Sequence, residues 1–199
     1  MNEHIEKQAE REPAHYLLID FEATCADDGS LPRQQMEIIE IGAVMVETAS
    51  LRVVDEFQSF VRPVRHPRLT AFCTALTTIG QADVDAAPGF AAAAAALKAW
   101  RAAYPDLIWG SWGDYDRNQL RQDCEFHRVP DPVGAEHRNI KRLFAQREGS
   151  GRKFGLDGGV RRARLEFAGT HHRGIDDARN IARLLPYALG RAEFPRERR

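Results

Sequence analysis

Asp20 and Glu22 stand two residues apart at the end of a short apolar run, residues 15–20 (HYLLID). If the extended backbone continues through Glu22, the two-residue period of a strand puts both carboxylates on one face and Phe21 on the other. Two negative charges held side by side against a core oppose each other's ionisation, and the arrangement costs free energy unless a cation joins them. A divalent metal is the simplest such cation. The alternative is one exposed carboxylate beside another that pairs with an arginine.

Two further groups of acids follow. The run WGSWGDYD, residues 109–116, ends where a helix is expected, and Asp116 there reads first as a helix cap, the commonest reason for an aspartate at that place. Asp114 is the competing carboxylate. The run HHRGIDDARN, residues 171–180, opens the last amphipathic helix. One of Asp176 and Asp177 can cap that helix while the other projects elsewhere, and His172 lies five residues before Asp177. A lone histidine near a helix start is more often a surface or internally satisfied side chain, and His171, His137, His127 and His66 are read that way. The sequence has no HExxH and no zinc ligand set.

The elements that must position these groups are legible as an α/β pattern. Residues 15–20, 38–47, 52–61 and 106–112 read as strands, with the second and third joined as an antiparallel hairpin through residues 48–51. Short or amphipathic helices are expected over 69–75, from Pro88 in a first turn to about 103, and over 116–127, 135–147 and 176–189. Residues 26–35 and 149–153 read as loops. The order βββαβα, followed by more helices, implies a mixed sheet. Residues 1–13 read as a flexible extension, 14–190 as one globular domain and 191–199 as a basic tail.

Composition narrows the class. The 199 residues are 43% hydrophobic and 29% charged, enough to bury a core without staples and too apolar for a disordered chain. No apolar run approaches the roughly 20 residues of a membrane span, and the charged start has no signal-peptide pattern. Three widely spaced cysteines without a CxxC suit a reduced, cytoplasmic protein. The net charge of −1 hides a split: residues 1–137 hold 12 basic and 22 acidic side chains, residues 138–199 hold 16 and 7. An acidic centre facing a basic surface suits a protein that handles both metal ions and phosphates.

Taken together, Asp20-Phe-Glu22-Ala-Thr-Cys25, Tyr115-Asp116 and His172 with Asp177 resemble the DEDDh 3′→5′ exonucleases of the ribonuclease-H-like superfamily. Glu37-Ile-Ile-Glu40, the segments 57–63 and 72–79, and Gly174-Ile-Asp-Asp-Ala-Arg-Asn-Ile-Ala182 are similar to the Eri-type branch and the KapD-like proteins, over roughly residues 14–190. The resemblance implies a mixed five-stranded sheet flanked by helices. It also implies phosphodiester hydrolysis with two Mg²⁺ ions, or Mn²⁺ in their place, held by Asp20, Glu22, Asp116 and Asp177, and His172 as general base. Alignment of the aromatic residue favours Asp116 over Asp114. By the same resemblance Ala23 and Thr24 lie against the terminal nucleotide, and Leu76 and Thr77 pack on its base and sugar. Trp112 and Tyr115 are candidates for base stacking, and Arg152, Lys153, Arg161, Arg162 and Arg164 for tracking phosphates. The expected partner is the 3′ end of single-stranded RNA, with a DNA-preferring enzyme or a catalytically idle RNA-binding protein as the alternatives. Glu37 and Glu40 are expected to support the sheet.

Overall fold

The computed structural model describes residues 12–196. Five strands, β1 (His15–Ala23), β2 (Ile38–Glu47), β3 (Arg52–Phe60), β4 (Leu107–Ser111) and β5 (His137–Asn139), form one mixed sheet in the order β3-β2-β1-β4-β5. β1 runs antiparallel to β2 and parallel to β4; β2–β3 is the expected antiparallel hairpin, and β4–β5 is parallel. Both faces are covered. On one, Leu17, Ile19 and Phe21 pack among α3 (Phe90–Arg101) and α4 (Tyr115–His127); on the other, Tyr16 and Leu18 pack against α5 (Ile140–Glu148), α6 (Leu156–Arg162) and α7 (Gly174–Ala188). α1 (Ala71–Thr77) and α2 (Gln81–Asp85) close one end around Cys73, Ile79 and Val84.

Several elements differ from the sequence reading for local physical reasons. Residues 137–139 are a strand rather than the start of a helix; Asn139 then caps α5 by accepting the Arg142 N–H at 2.9 Å. Pro88 lies ahead of the helix it was expected to start, because Gly89 is the N-cap of α3. α2 and α6 were not anticipated. In α6, Gly159 faces the Trp112 ring, which a Cβ would meet at 2.8 Å, so this glycine serves close packing and does not break the helix.

The last described residues, 191–196, lie against the domain. Phe194 meets Phe144 edge-on at 4.9 Å, and the Arg162 guanidinium donates to the Pro195 carbonyl at 2.9 Å. Of the 1–13 extension, residues 1–11 fall outside the described residues, as do 197–199 of the tail.

Candidate active site

β1 stays extended through Ala23, so Asp20 and Glu22 do share a face, opposite Gly42 and Glu40 of β2, while Phe21 turns into the other layer. Their face is the one α7 covers. That helix approaches closely because two glycines meet: a Cβ on Gly42 would fall 2.0 Å from the Gly174 carbonyl carbon. Glu40, fully buried, accepts the Gly174 N–H at 3.0 Å, the Arg173 Nε at 3.1 Å and the Gln58 side-chain amide at 2.6 Å. The start of α7, and with it Asp177, is thereby fixed against β1. Glu37 plays a comparable part nearby, accepting the backbone N–H groups of Val64, Arg65 and His66.

α4 supplies the next acid. Asp116 is its second residue, not its cap, and its Oδ1 accepts the Phe21 N–H at 3.0 Å, between the two acids of β1. Asp114 is the N-cap residue without a side-chain capping bond. It turns away to Arg117 at 3.2 Å, Arg142 at 3.5 Å and the Asn139 amide at 2.9 Å. Neither Asp176 nor Asp177 caps α7, whose N-cap is Arg173; Asp176 instead accepts the Thr170 N–H at 2.9 Å.

Carboxylate oxygens of Asp20, Glu22 and Asp177 lie within 4.8 Å of one another. Burial, then the neighbouring acids, raises their proton affinity: Asp20 goes well above the usual carboxylate range and Glu22 is pushed up to about 9. Asp177 rises to about 7 through burial against the His172 N–H bond that opposes it. Asp116 rises to about 6, again through burial, with the Phe21 amide pulling the other way. The buried Asp177 Oδ1 has no hydrogen-bond partner among the described residues. The set therefore has the charge excess, the oxygen donors and the orphaned acceptor that hard divalent cations satisfy.

His172 adopts a left-handed backbone (φ 64°), and its N–H reaches Asp177 Oδ2 at 3.3 Å. Its ring stacks on His171 with centroids 4.0 Å apart, and His171 Nε2 lies 3.9 Å from Asp177 Oδ2. The sequence reading left His171 on the surface; its ring is exposed, yet it belongs to this cluster, and only its adjacency to His172 could have signalled it. Burial and the neighbouring His171 hold the His172 pKa below that of free imidazole.

These five residues line one open cleft of about 460 Å³, excepting none, together with Ala23, Leu76, Trp112 and Tyr115. Two of the expected substrate residues do not present side chains there. Thr24 is buried with its Oγ1 accepting the Glu37 N–H, and Thr77 is buried with its hydroxyl donating to the Cys73 carbonyl in α1. Both hydroxyls are committed to backbone, which is why they turn inward. Trp112 donates from Nε1 to the Phe154 carbonyl at 3.1 Å, and Tyr115 lies under the Arg33 guanidinium. The expected basic cluster divides: Arg161 pairs with Asp157, Arg162 with the Glu148 carboxylate at 2.7 Å, and Arg164 with the Arg196 carbonyl at 2.7 Å, whereas Arg152 and Lys153 line a separate groove with Lys141 and Arg142.

A mixed sheet in the order 3-2-1-4-5, with acids gathered from its central strand and from the first turns of two helices, defines a ribonuclease-H-like nuclease fold. The RNase T exonuclease family model matches residues 17–185, and the chain belongs to that family, on its DEDDh, Eri-type branch. It is 30% identical over 196 residues to mouse ERI1 exoribonuclease 2, covering 86% of this chain and 28% of that protein. To human 3′-5′ exoribonuclease 1 it is 33% identical over 181 residues, covering 85% and 51%. The chain thus spans between about a quarter and half the length of these relatives. Among solved structures, the nuclease domain of 3′hExo, a DEDDh family member bound to rAMP, superposes with a TM-score of 0.83 at 27% identity, covering 94% of this chain and 98% of that one.

Proposed function

We propose that this chain is a 3′→5′ exonuclease that releases nucleoside 5′-monophosphates from single-stranded nucleic acid, RNA in preference to DNA. The observation that carries the reading is the convergence of Asp20, Glu22, Asp116, Asp177 and His172 on one cleft. Residues 14–190 form the catalytic domain in this reading. The RNA preference is supported by relatives named as exoribonucleases and by a structural neighbour with rAMP bound. The three free cysteines support a cytoplasmic setting, and no helix of the described residues is long and apolar enough to cross a membrane.

Asp20, Glu22, Asp116 and Asp177 are the residues that would hold two Mg²⁺ ions, or Mn²⁺ in their place. When bound, such ions neutralise the four acids and stabilise charge on the attacking and leaving oxygens. The chain's own contribution is placement and proton transfer. His172, neutral near pH 7 because its pKa is depressed, takes a proton from the attacking water onto an imidazole nitrogen. The water oxygen bonds to phosphorus, the bond to the leaving 3′-oxygen breaks, that oxygen takes up a proton from solvent to become the new 3′-hydroxyl, and the terminal nucleotide departs as its 5′-monophosphate. Ala23 and Leu76 give the terminal nucleotide an apolar wall, and Trp112 offers a ring face that accepts any base.

Digestion of a labelled single-stranded RNA and its DNA counterpart in Mg²⁺, Mn²⁺ or EDTA tests the proposal, with Asp20→Asn as control. Metal-dependent release of 5′-mononucleotides, faster from RNA and lost in the variant, is expected. Faster release from DNA would overturn the RNA preference. Binding without release from either strand would leave an idle RNA-binding protein on the same fold.

A further inference from the structure

The cleft is acidic, yet its substrate is a polyanion, and among the described residues that line it one Arg or Lys is present: Arg33. It sits on a single 3₁₀ turn, Arg33–Gln35, between β1 and β2. The turn is fastened at several points. The Gln122 side-chain amide donates to the carbonyls of Arg33 at 3.3 Å and Met36 at 2.7 Å, the Gln119 amide to Met36 at 3.0 Å, and the Arg65 guanidinium to Gln34 at 2.8 Å. The Arg33 guanidinium carbon lies 5.0 Å from the centroid of the Tyr115 ring, one residue from Asp116. Among the described residues no carboxylate pairs with it. An arginine that lies over an aromatic ring without a carboxylate partner keeps N–H groups available for an anion.

Its position decides which anion. The scissile phosphodiester must reach Asp20, Glu22 and Asp177, none of which pairs with Arg33, whereas Arg33 lines the same cleft over the Tyr115 ring of α4. Resting on the exonuclease reading, we infer that Arg33 is a substrate-positioning residue that grips a non-bridging oxygen of the phosphodiester one nucleotide 5′ of the scissile bond. Arginine suits this task because its planar fork matches a phosphate in two parallel hydrogen bonds. A cationic grip outside the acid cluster holds the strand in register without competing with the divalent ions for the scissile phosphate.

Binding is measured by fluorescence anisotropy on the full chain in EDTA or Ca²⁺, with a 5′-fluorescein RNA heptamer and the same heptamer carrying a neutral methylphosphonate at the linkage 5′ of the scissile one. Arg33→Gln is expected to weaken the unmodified heptamer about tenfold and to flatten the slope of log affinity against log salt by about 0.7, the share of one phosphate contact on a single strand. The methylphosphonate should weaken the wild type by a similar factor and the variant no further, and Arg33→Lys should recover part of the loss. In turnover, Arg33→Gln should raise KM on RNA more than it lowers kcat, and should affect thymidine 5′-(p-nitrophenyl phosphate), which has no upstream phosphate, less than it affects RNA. Equal loss on both heptamers, or none on either, would overturn the assignment. Absence of mononucleotide release by the wild type would count against the exonuclease reading alone, since the anisotropy comparison decides Arg33 without turnover.

Discussion

The buried carboxylate of Glu40 accepts the backbone N–H of Gly174 at 3.0 Å, joining the start of β2 to the first residue of α7. Neither residue lines the cleft, yet the bond sets where Asp177 stands relative to Asp20 and Glu22. Because Glu40 also takes the Arg173 and Gln58 donors, its removal leaves three polar groups without their acceptor in and around a closed interior. Glu40→Ala is expected to destabilise the fold by about 3 kcal/mol or more. In urea unfolding the midpoint should fall, and exonuclease activity should fall further than the folded fraction does.

Gly42→Ala tests the close approach of α7. Its new Cβ would meet backbone, at 2.0 Å from Gly174 and 2.1 Å from the Ile175 nitrogen, so no side chain can yield to it. The expected cost is at the upper end of overpacking, about 3 kcal/mol. Whatever folded protein remains should bind Mn²⁺ weakly in titration calorimetry, since Asp177 has been pushed from Asp20 and Glu22.

The pH dependence of stability follows from the raised acids. Asp177 titrates at about 7 and Glu22 at about 9 in the folded chain, against about 4 when unfolded. Between those limits the folded state holds protons that the unfolded state has lost, so stability falls as pH rises and stops falling once each folded value is passed. His137, lowered to about 4 by burial and by Arg117, acts in the opposite sense below pH 6.5, where the unfolded chain protonates first. Above pH 7 His137 no longer contributes, and the acids are opposed only in part by the Cys73 thiol, which its hydrogen bond with Cys25 lowers to about 7. In EDTA the melting temperature should decline less steeply between pH 7 and 9 in Glu22→Gln than in the wild type, Asp20 keeping part of the slope, and Mg²⁺ should stabilise most at the alkaline end, where the acids that would hold it are already deprotonated. Equal slopes in the wild type and in Glu22→Gln would contradict the raised value of Glu22.

His172→Asn separates proton transfer from metal holding. Asparagine tolerates the left-handed backbone that His172 adopts (φ 64°), and its N–H can still reach Asp177. Turnover should drop by about 10²–10⁴ while Mn²⁺ affinity stays near that of the wild type. A variant with near-normal kcat would remove His172 from the role of base.

The long apolar elements were legible because burial on both faces leaves a hydrophobic run that in β2 only Glu40 and Gly42 interrupt before Glu47, or a periodic one, as in α7. β5 was not: His137, Arg138 and Asn139 are polar and half-buried, and pairing with β4 over three residues leaves no pattern. α6 carries Gly158 and Gly159, which read as a break until the Trp112 ring is seen lying on Gly159. At the site, the shared face of Asp20 and Glu22 followed from strand period alone. The choice of Asp116 over Asp114 rested on family resemblance, because the Phe21 amide that holds Asp116 lies 95 residues away in the chain. The inward turn of Thr24 and Thr77 had no sequence signal, since a hydroxyl bound to backbone is spelled like a free one.

Strand β1 lies at the centre of the sheet, bonded on both sides, while His172 hangs on a turn that rises just ahead of α7. Amides of a central strand exchange last, and short connecting turns open first. On warming, the turn is then free to swing out while the acids remain assembled. In the exonuclease reading such a molecule is folded by every spectroscopic criterion and keeps the acids that would hold its ions, yet performs no hydrolysis. Activity should fade reversibly some degrees below the melting temperature, so that the working limit of the protein is set by a few residues of turn and not by its core.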